Sequence, residues 1–282
     1  MFGRKREGSL LCPSCGQLVG VNDDRCLSCG RTRPGLWGFA ALLRNTGDDM
    51  GFVQLVLFCC GALYLATLVA SPDTIGGGGL LGLLSPGLRS LFRFGASGAV
   101  PVFRYGRWWT PLSASWLHGG LLHIVFNMMS VRNLVPLTAH LYGPARTVIL
   151  YLVAGVTGFL ASSLAGAFLP RIPFLTGAGF TIGASAAIFG MIGAILYYGR
   201  RGGSRMIAEA ARGWALGGLV MGFMIPGIDN WAHLGGLAGG YATAHILDPL
   251  KPERGDHMLM AGAGLVLSLA AVLASVITDL PG

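Results

Sequence analysis

From residue 52 onward the chain alternates long apolar runs with short polar interruptions. A bilayer core needs roughly 17–25 apolar residues to be crossed by a helix. Runs of that length fall at about Phe52–Ala70, Gly120–Ala139, Thr147–Leu169, Ile182–Gly199, Glu209–Ile225, Trp231–Leu247 and Met258–Thr278. The pattern predicts about seven spanning helices and an all-α polytopic architecture. The interval from Gly76 to about Leu117 breaks the rhythm. Its arginines, Arg89, Arg93, Arg104 and Arg107, are mixed with scattered Leu and Phe, and few segments are apolar enough to span. It reads as an ordered loop on one membrane face, anchored by Trp108, Trp109 and Trp116 at interfacial depth. Ahead of the first run, residues 34–51 read as a linker whose Leu36–Arg44 stretch forms a short amphipathic surface helix.

Composition agrees with the pattern. Only 11% of the 282 residues are charged, 53% are hydrophobic and the mean hydropathy is +0.63. A soluble domain carries about 25% charged residues, so this chain cannot cover a water-facing surface. A net charge of +8 raises the question of nucleic acid. The arginines instead lie mostly in short segments between apolar runs, which is a topology signal, and no nucleic-acid partner is expected. If the N-terminus is inside, the inside holds Arg146, then Arg200, Arg201, Arg205 and Arg212, then Lys251 and Arg254. The short outer loops hold Arg171 and almost nothing else. The long first loop is an exception, and long loops obey the rule weakly. The basic opening Met1–Arg6 is not followed by an apolar run, so a cleaved signal peptide is not expected.

Cysteines define the head. Cys12-Pro-Ser-Cys15-Gly16 and Cys26-Leu-Ser-Cys29-Gly30 are two knuckles whose glycines permit a tight turn that aims two thiolates at one point. Four sulfurs match a closed tetrahedral structural zinc site, with no open position for catalysis. Two disulfides or a redox dithiol are the competing readings. Residues 1–33 therefore read as a zinc-ribbon-like domain holding one structural Zn, folded by its metal. Reduced thiols place it in the cytoplasm. Cys59 and Cys60, adjacent in the first apolar run, read as packing residues.

The remaining signal is polar side chains inside apolar helices, which are costly and mark function. Ser185 sits in a small-residue run, Thr181-Ile-Gly183-Ala-Ser185-Ala-Ala-Ile-Phe189-Gly190. His233 is the lone ionisable group of Asn230-Trp-Ala-His233-Leu-Gly-Gly236. His123 and Asn127 are four apart and share a helix face, with His118 just ahead of them. Alternating spans put all three groups at the same end of their helices. Packing serines and buried histidines would not require that coincidence, although interhelical hydrogen bonding without chemistry remains the plain alternative. A serine nucleophile with a histidine general base is the reading the coincidence favours.

Taken together, Arg107-Trp108, His118-x4-His123-x3-Asn127, Gly183-x-Ser185 and Ala232-His233-x-x-Gly236 with Gly240 resemble the rhomboid family of intramembrane serine proteases. The resemblance covers about Phe52 to Leu247. It implies a rhomboid-like helical bundle over residues 52–247, with residues 248–282 as a cytoplasmic loop and an extra C-terminal transmembrane helix. It implies a dyad of Ser185 and His233 that needs no catalytic cofactor. An oxyanion would be held by His123, Asn127 and the Ser185 amide. His118 and Gly183 would support the site, and Phe189 would lie against the histidine ring. The implied substrates are transmembrane proteins cut near the extracytoplasmic face, with small residues before the cut. The implied setting is a multi-pass protein of the bacterial plasma membrane, in contact with the bilayer. Two positions depart from the family pattern. Ala186 replaces the usual glycine after the nucleophile and is expected to narrow the oxyanion site. Ala139 and His140 stand where an acidic residue is often found. The rival reading is a weak or inactive rhomboid-like binder of transmembrane helices. A transporter is disfavoured because paired broken helices and inverted repeats are not evident.

Overall fold

A computed structural model describes residues 7–12, 15–35, 49–71, 84–170, 176–202 and 204–279. The basic opening Met1–Arg6, the surface helix expected at Leu36–Arg44, the Gly76–Gly79 run and Arg171 lie outside the described residues. The head is a two-stranded antiparallel sheet of β1 (Ser9–Leu11) and β2 (Leu18–Gly20), with Leu10 opposite Val19. The first long helix is α1 (Phe52–Val69). The loop after it holds α2 (Leu88–Arg93), a wide π-turn over Val100–Arg104, α3 (Thr110–Ser113) and a tight turn at Ala114–Trp116. Six long helices follow: α4 (Leu121–Tyr142), α5 (Pro144–Phe168), α6 (Ser185–Arg201), α7 (Arg205–Met224), α8 (Asn230–Leu247) and α9 (Gly255–Ile277). Each falls on one of the expected apolar runs.

Three of these helices, α1, α5 and α9, are long and apolar enough on their own to cross a membrane. The other four carry the polar load: His123, Asn127 and Arg132 on α4, Arg200 and Arg201 ending α6, Glu209 and Arg212 on α7, His233 and His245 on α8. The bundle surface inverts that of a soluble protein. Phe58, Leu65 and Val69 on α1 and Leu259 and Val266 on α9 are exposed, whereas Arg146, His118, Thr147 and Ser162 are buried. Lipid solvates apolar side chains and forces polar ones inward, so this is the surface of an integral membrane protein.

Helix ends differ from the apolar runs where a charge is internal to the fold. Arg146 reads in sequence as a loop residue, yet it lies in the first turn of α5, and the helix starts at Pro144. Proline at the first helical position costs no hydrogen bond. Gly143, at φ 91, turns the chain out of α4. The Arg146 guanidinium is almost fully buried. It donates to the carbonyls of Asp248, Lys251 and Pro252 and to His257 Nδ1, so the α8–α9 connection is wrapped around it. Glu253 Oε1 accepts the Arg146 amide at 2.9 Å and so caps α5 from outside the helix.

The head docks on this same connection. Arg31 lies 3.6 Å from Glu253 Oε2, with both side chains only 1% and 2% exposed, and donates to Met258 Sδ at 2.8 Å. The other end of α9 grips the first loop. Trp109 Nε1 donates to Ser275 Oγ at 3.0 Å, and Arg107 reaches Asp279 at 3.4 Å. Arg107 also donates to the Phe92 carbonyl and lies 3.9 Å over the Phe92 ring.

The centre is the trio α5, α6 and α8, joined where glycine removes the side chain. A Cβ at Gly236 would sit 2.1 Å from the Ala186 carbonyl oxygen, and one at Gly190 would sit 1.9 Å from Ala154 Cβ. Backbone therefore meets backbone, and the first turn of α8 lies against the first turn of α6.

Candidate functional site

The segment leading into α6 is fixed before Ser185 is reached. Ser97 and Thr181 form a two-way backbone bridge, and the Gly183 amide donates to the Ala114 carbonyl at 2.9 Å. Gly183 has φ +122, a conformation that L side chains rarely adopt. It also makes room: a Cβ there would lie 2.6 Å from His123 Nε2 and 3.8 Å from Ser185 Oγ. These two atoms thus line one small space. Ser185 is half-buried and is the first residue of α6, so its amide has no acceptor within the helix.

His123 faces that space in a defined state. Its Nδ1 accepts the Gly119 amide at 3.3 Å. A neutral ring with Nδ1 accepting carries its proton on Nε2. Asn127 is one turn further along α4; its Nδ2 donates to the His123 carbonyl at 2.8 Å, leaving its second amide proton free. His118 is fully buried behind them, its ring 5.1 Å from that of His123.

Phe189, one turn after Ser185, stacks on His233 with ring centroids 4.1 Å apart and planes 11° from parallel. The imidazole is thereby pinned against the helix that Ser185 opens. Ser185 and His233 are not hydrogen-bonded to each other, and His233 Nδ1 is buried without a partner among the described residues. The Ala186 methyl is fully buried in a cluster with Ala114, Phe159 and Ala232, at the contact of α6 with α5 and α8.

The structure therefore brings His123, Gly183, Ser185, Phe189 and His233 together, with Asn127 and His118 adjoining. Two residues with evident structural weight were not singled out by the sequence reading. Asp229 caps α8, accepting the Ala232 amide at 3.1 Å, and its other oxygen accepts the Ser162 hydroxyl at 2.5 Å. An Asp immediately before an apolar helix is a capping signal; nothing in the sequence pointed to Ser162.

A second cluster lies in the head. The sulfurs of Cys12, Cys15, Cys26 and Cys29 are all within 4.8 Å of one another. Cys12 and Cys29 sulfurs are 3.7 Å apart and those of Cys15 and Cys26 are 3.6 Å apart, and none of the four is in a disulfide. Disulfides would require about 2.05 Å. Four thiolates at 2.3 Å from a tetrahedral ion stand about 3.8 Å apart, so the donor set fits a metal ion. Gly16 and Gly30 share φ +73, and their amides donate to the Cys12 and Cys26 carbonyls, closing two matching knuckles. The Cys29 amide is aimed at the Cys26 sulfur and, with that of Ser28, holds this thiol down at about 7, against the upward push of burial. Burial pushes Cys29 up to about 12.

A family model described as the Rhomboid domain matches residues 105–249, which include the space around Ser185 and its neighbours. The chain is 33% identical over 189 residues to the "Rhomboid protease GluP" of Bacillus subtilis, covering 66% of this chain and 35% of that protein. It is 30% identical over 189 residues to "RHOMBOID-like protein 5" of Arabidopsis thaliana, covering 61% and 54%. It is also 30% identical over 162 residues to the "Rhomboid-like protease 5" of Toxoplasma gondii, covering 55% and 18%. The chain thus spans about a third to a half of the length of the first curated relatives it matches. With the family match covering just over half of its residues and the bundle built around that same segment, this chain belongs to the rhomboid family.

Proposed function

We propose that the chain is an intramembrane serine endopeptidase whose nucleophile is Ser185 and whose general base is His233. The carrying observation is the stack of His233 on Phe189, one turn beyond Ser185, with the His123 Nε2 proton facing the same space across Gly183. Two relatives whose printed names call them proteases support the reading.

Ser185 Oγ attacks the scissile carbonyl carbon while His233 takes the hydroxyl proton. The oxyanion is met by N–H groups of Ser185, His123 and Asn127; one such donor is typically worth about 2.7–4 kcal/mol of barrier. His233 then gives its proton to the departing amine, leaving an acyl-enzyme. Water, deprotonated by the same imidazole, attacks the ester, and Ser185 is regenerated. A helical peptide must unwind before attack, so transmembrane segments with helix-breaking or small residues near the cut are the favoured substrates.

The four head cysteines hold one structural zinc, which supplies folding energy to the ribbon and takes no part in cleavage. Reduced thiols and inner arginines set the N-terminus in the cytoplasm and the cut near the opposite, extracytoplasmic face, in a bacterial plasma membrane. Purified protein is incubated in detergent with a single-span fusion and with a fluorophosphonate probe. Wild type should cleave and label, and Ser185→Ala and His233→Ala should do neither. Cleavage that survives either substitution removes the dyad.

A further inference from the structure

The nucleophile and the base belong to different helices, so something must set one helix start against the other. Glycine contacts fix how closely α6, α5 and α8 approach, but not how far each first turn is drawn out or rotated. One hydroxyl spans that gap. Ser162, fully buried on α5, donates to Asp229 Oδ2 at 2.5 Å and accepts the Ala178 amide at 3.2 Å. Ala178 lies in the segment that runs through Thr181 and Gly183 into Ser185. Asp229 caps α8 through the Ala232 amide, and its carbonyl accepts the His233 amide at 3.1 Å.

We propose that the Ser162–Asp229 pair is a positioning bolt that sets the start of the His233 helix against the segment delivering Ser185, both referenced to α5. This rests on the dyad reading above. Ser162 and Asp229 are positioning residues; neither is needed to touch substrate. A hydroxyl donating to a carboxylate is among the stronger hydrogen bonds available to side chains. Both oxygens of Asp229 are engaged, one by each side of the junction. Without the bolt, α8 loses its cap and the 176–184 segment loses its hydrogen bond to α5, keeping its backbone bonds to Ser97, Ala99, Val100 and Ala114. The imidazole and the hydroxyl then drift independently. A shift of about 1 Å between reacting groups can lower turnover by about a hundredfold.

The test compares wild type, Asp229→Ala, Ser162→Ala, Asp229→Asn and the Asp229→Ala/Ser162→Ala double variant in detergent. Asparagine caps a helix about as well as aspartate, and the Ser162 oxygen can accept from its amide. The expected result has two arms. In the first, Asp229→Ala lowers kcat by about a hundredfold with KM nearly unchanged, Ser162→Ala does so in the same direction, the double variant is no worse than the poorer single, and Asp229→Asn regains at least about tenfold over the alanine. In the second, hydrogen exchange rises at both 176–184 and 230–236 in either alanine variant, by about fivefold or more, and not in Asp229→Asn. Unchanged kcat in the alanine variants, additive losses in the double variant, no rescue by asparagine, or an exchange rise confined to 230–236 overturns the proposal. If wild type neither cleaves nor labels, the protease reading fails, and the exchange arm alone decides whether the bolt exists.

Discussion

Substituting Glu253→Gln perturbs the junction of head and bundle at one charge. The amide oxygen of glutamine can still accept the Arg146 backbone N–H, so the cap on α5 is kept. What is lost is the negative charge facing Arg31, whose side chain is 1% exposed in the docked state. Leaving one member of a buried ion pair uncompensated costs about 3–5 kcal/mol. At about 1.4 kcal/mol per tenfold, docking weakens by roughly a hundredfold to several thousandfold. The head can escape the cost by undocking, so the loss is capped at the docking free energy itself. Removing both charges, with Arg31→Met beside Glu253→Gln, should restore much of the docking. The reason is that burial is the largest influence on the Glu253 carboxyl and pushes it up despite Arg31 nearby. Attraction from Arg31 thus does not outweigh the cost of taking the Glu253 charge out of water. Hydrogen exchange at residues 7–35 and 248–258 reports docking directly. It should accelerate in both segments for the single variant and recover for the double. Unchanged exchange in Glu253→Gln, or a double variant as loose as the sum of the singles, would refute the reasoning.

Three further outcomes are expected. Gly183→Ala places a methyl 2.6 Å from His123 Nε2 at a φ that alanine avoids, so cleavage and probe labelling should be lost while the helical circular dichroism stays intact; retained turnover would remove the close approach from the mechanism. Asn127→Ala should lower kcat by about 10²–10³ with a small change in KM if its free amide proton meets the oxyanion, and an unchanged kcat would leave that role to His123 and Ser185. Metal analysis should find about one zinc per chain, lost in Cys12→Ser or Cys26→Ser; zinc absent from wild type as well would end the ribbon reading.

The seven long helices among the described residues each fall on a run visible in the sequence, although only α1, α5 and α9 have the unbroken apolar length that lipid demands. The residues lining the candidate site were visible for the converse reason: Ser185, His233, His123 and Asn127 are polar where an apolar helix needs none. The ends of helices were less legible. Arg146 looked like a marker of the connection because arginine is seldom buried, and only the carbonyls of a segment a hundred residues downstream make its burial affordable. The same applies to Arg31 with Glu253 and Ser162 with Asp229. Each pair joins segments far apart in the chain, and neither partner shows a local pattern that names the other. The partners of the Ala186 methyl were not legible either, because sequence gives a methyl no direction; the packing of α5 and α8 against α6 gives it one.

At one tip, α9 holds the cysteine-rich head through Met258; at the other it holds the loop of the candidate-site face through Ser275 and Asp279. Its 23 residues make a rod of about 34 Å. A stiff rod pinned at both tips behaves as a lever arm: tilting it at the cysteine-rich end must either swing the far loop with it or tear the Trp109 and Arg107 contacts away. Shortening the chain at its C-terminus would therefore be felt first by Arg107, 172 residues earlier, at the opposite end of α9 from the four cysteines.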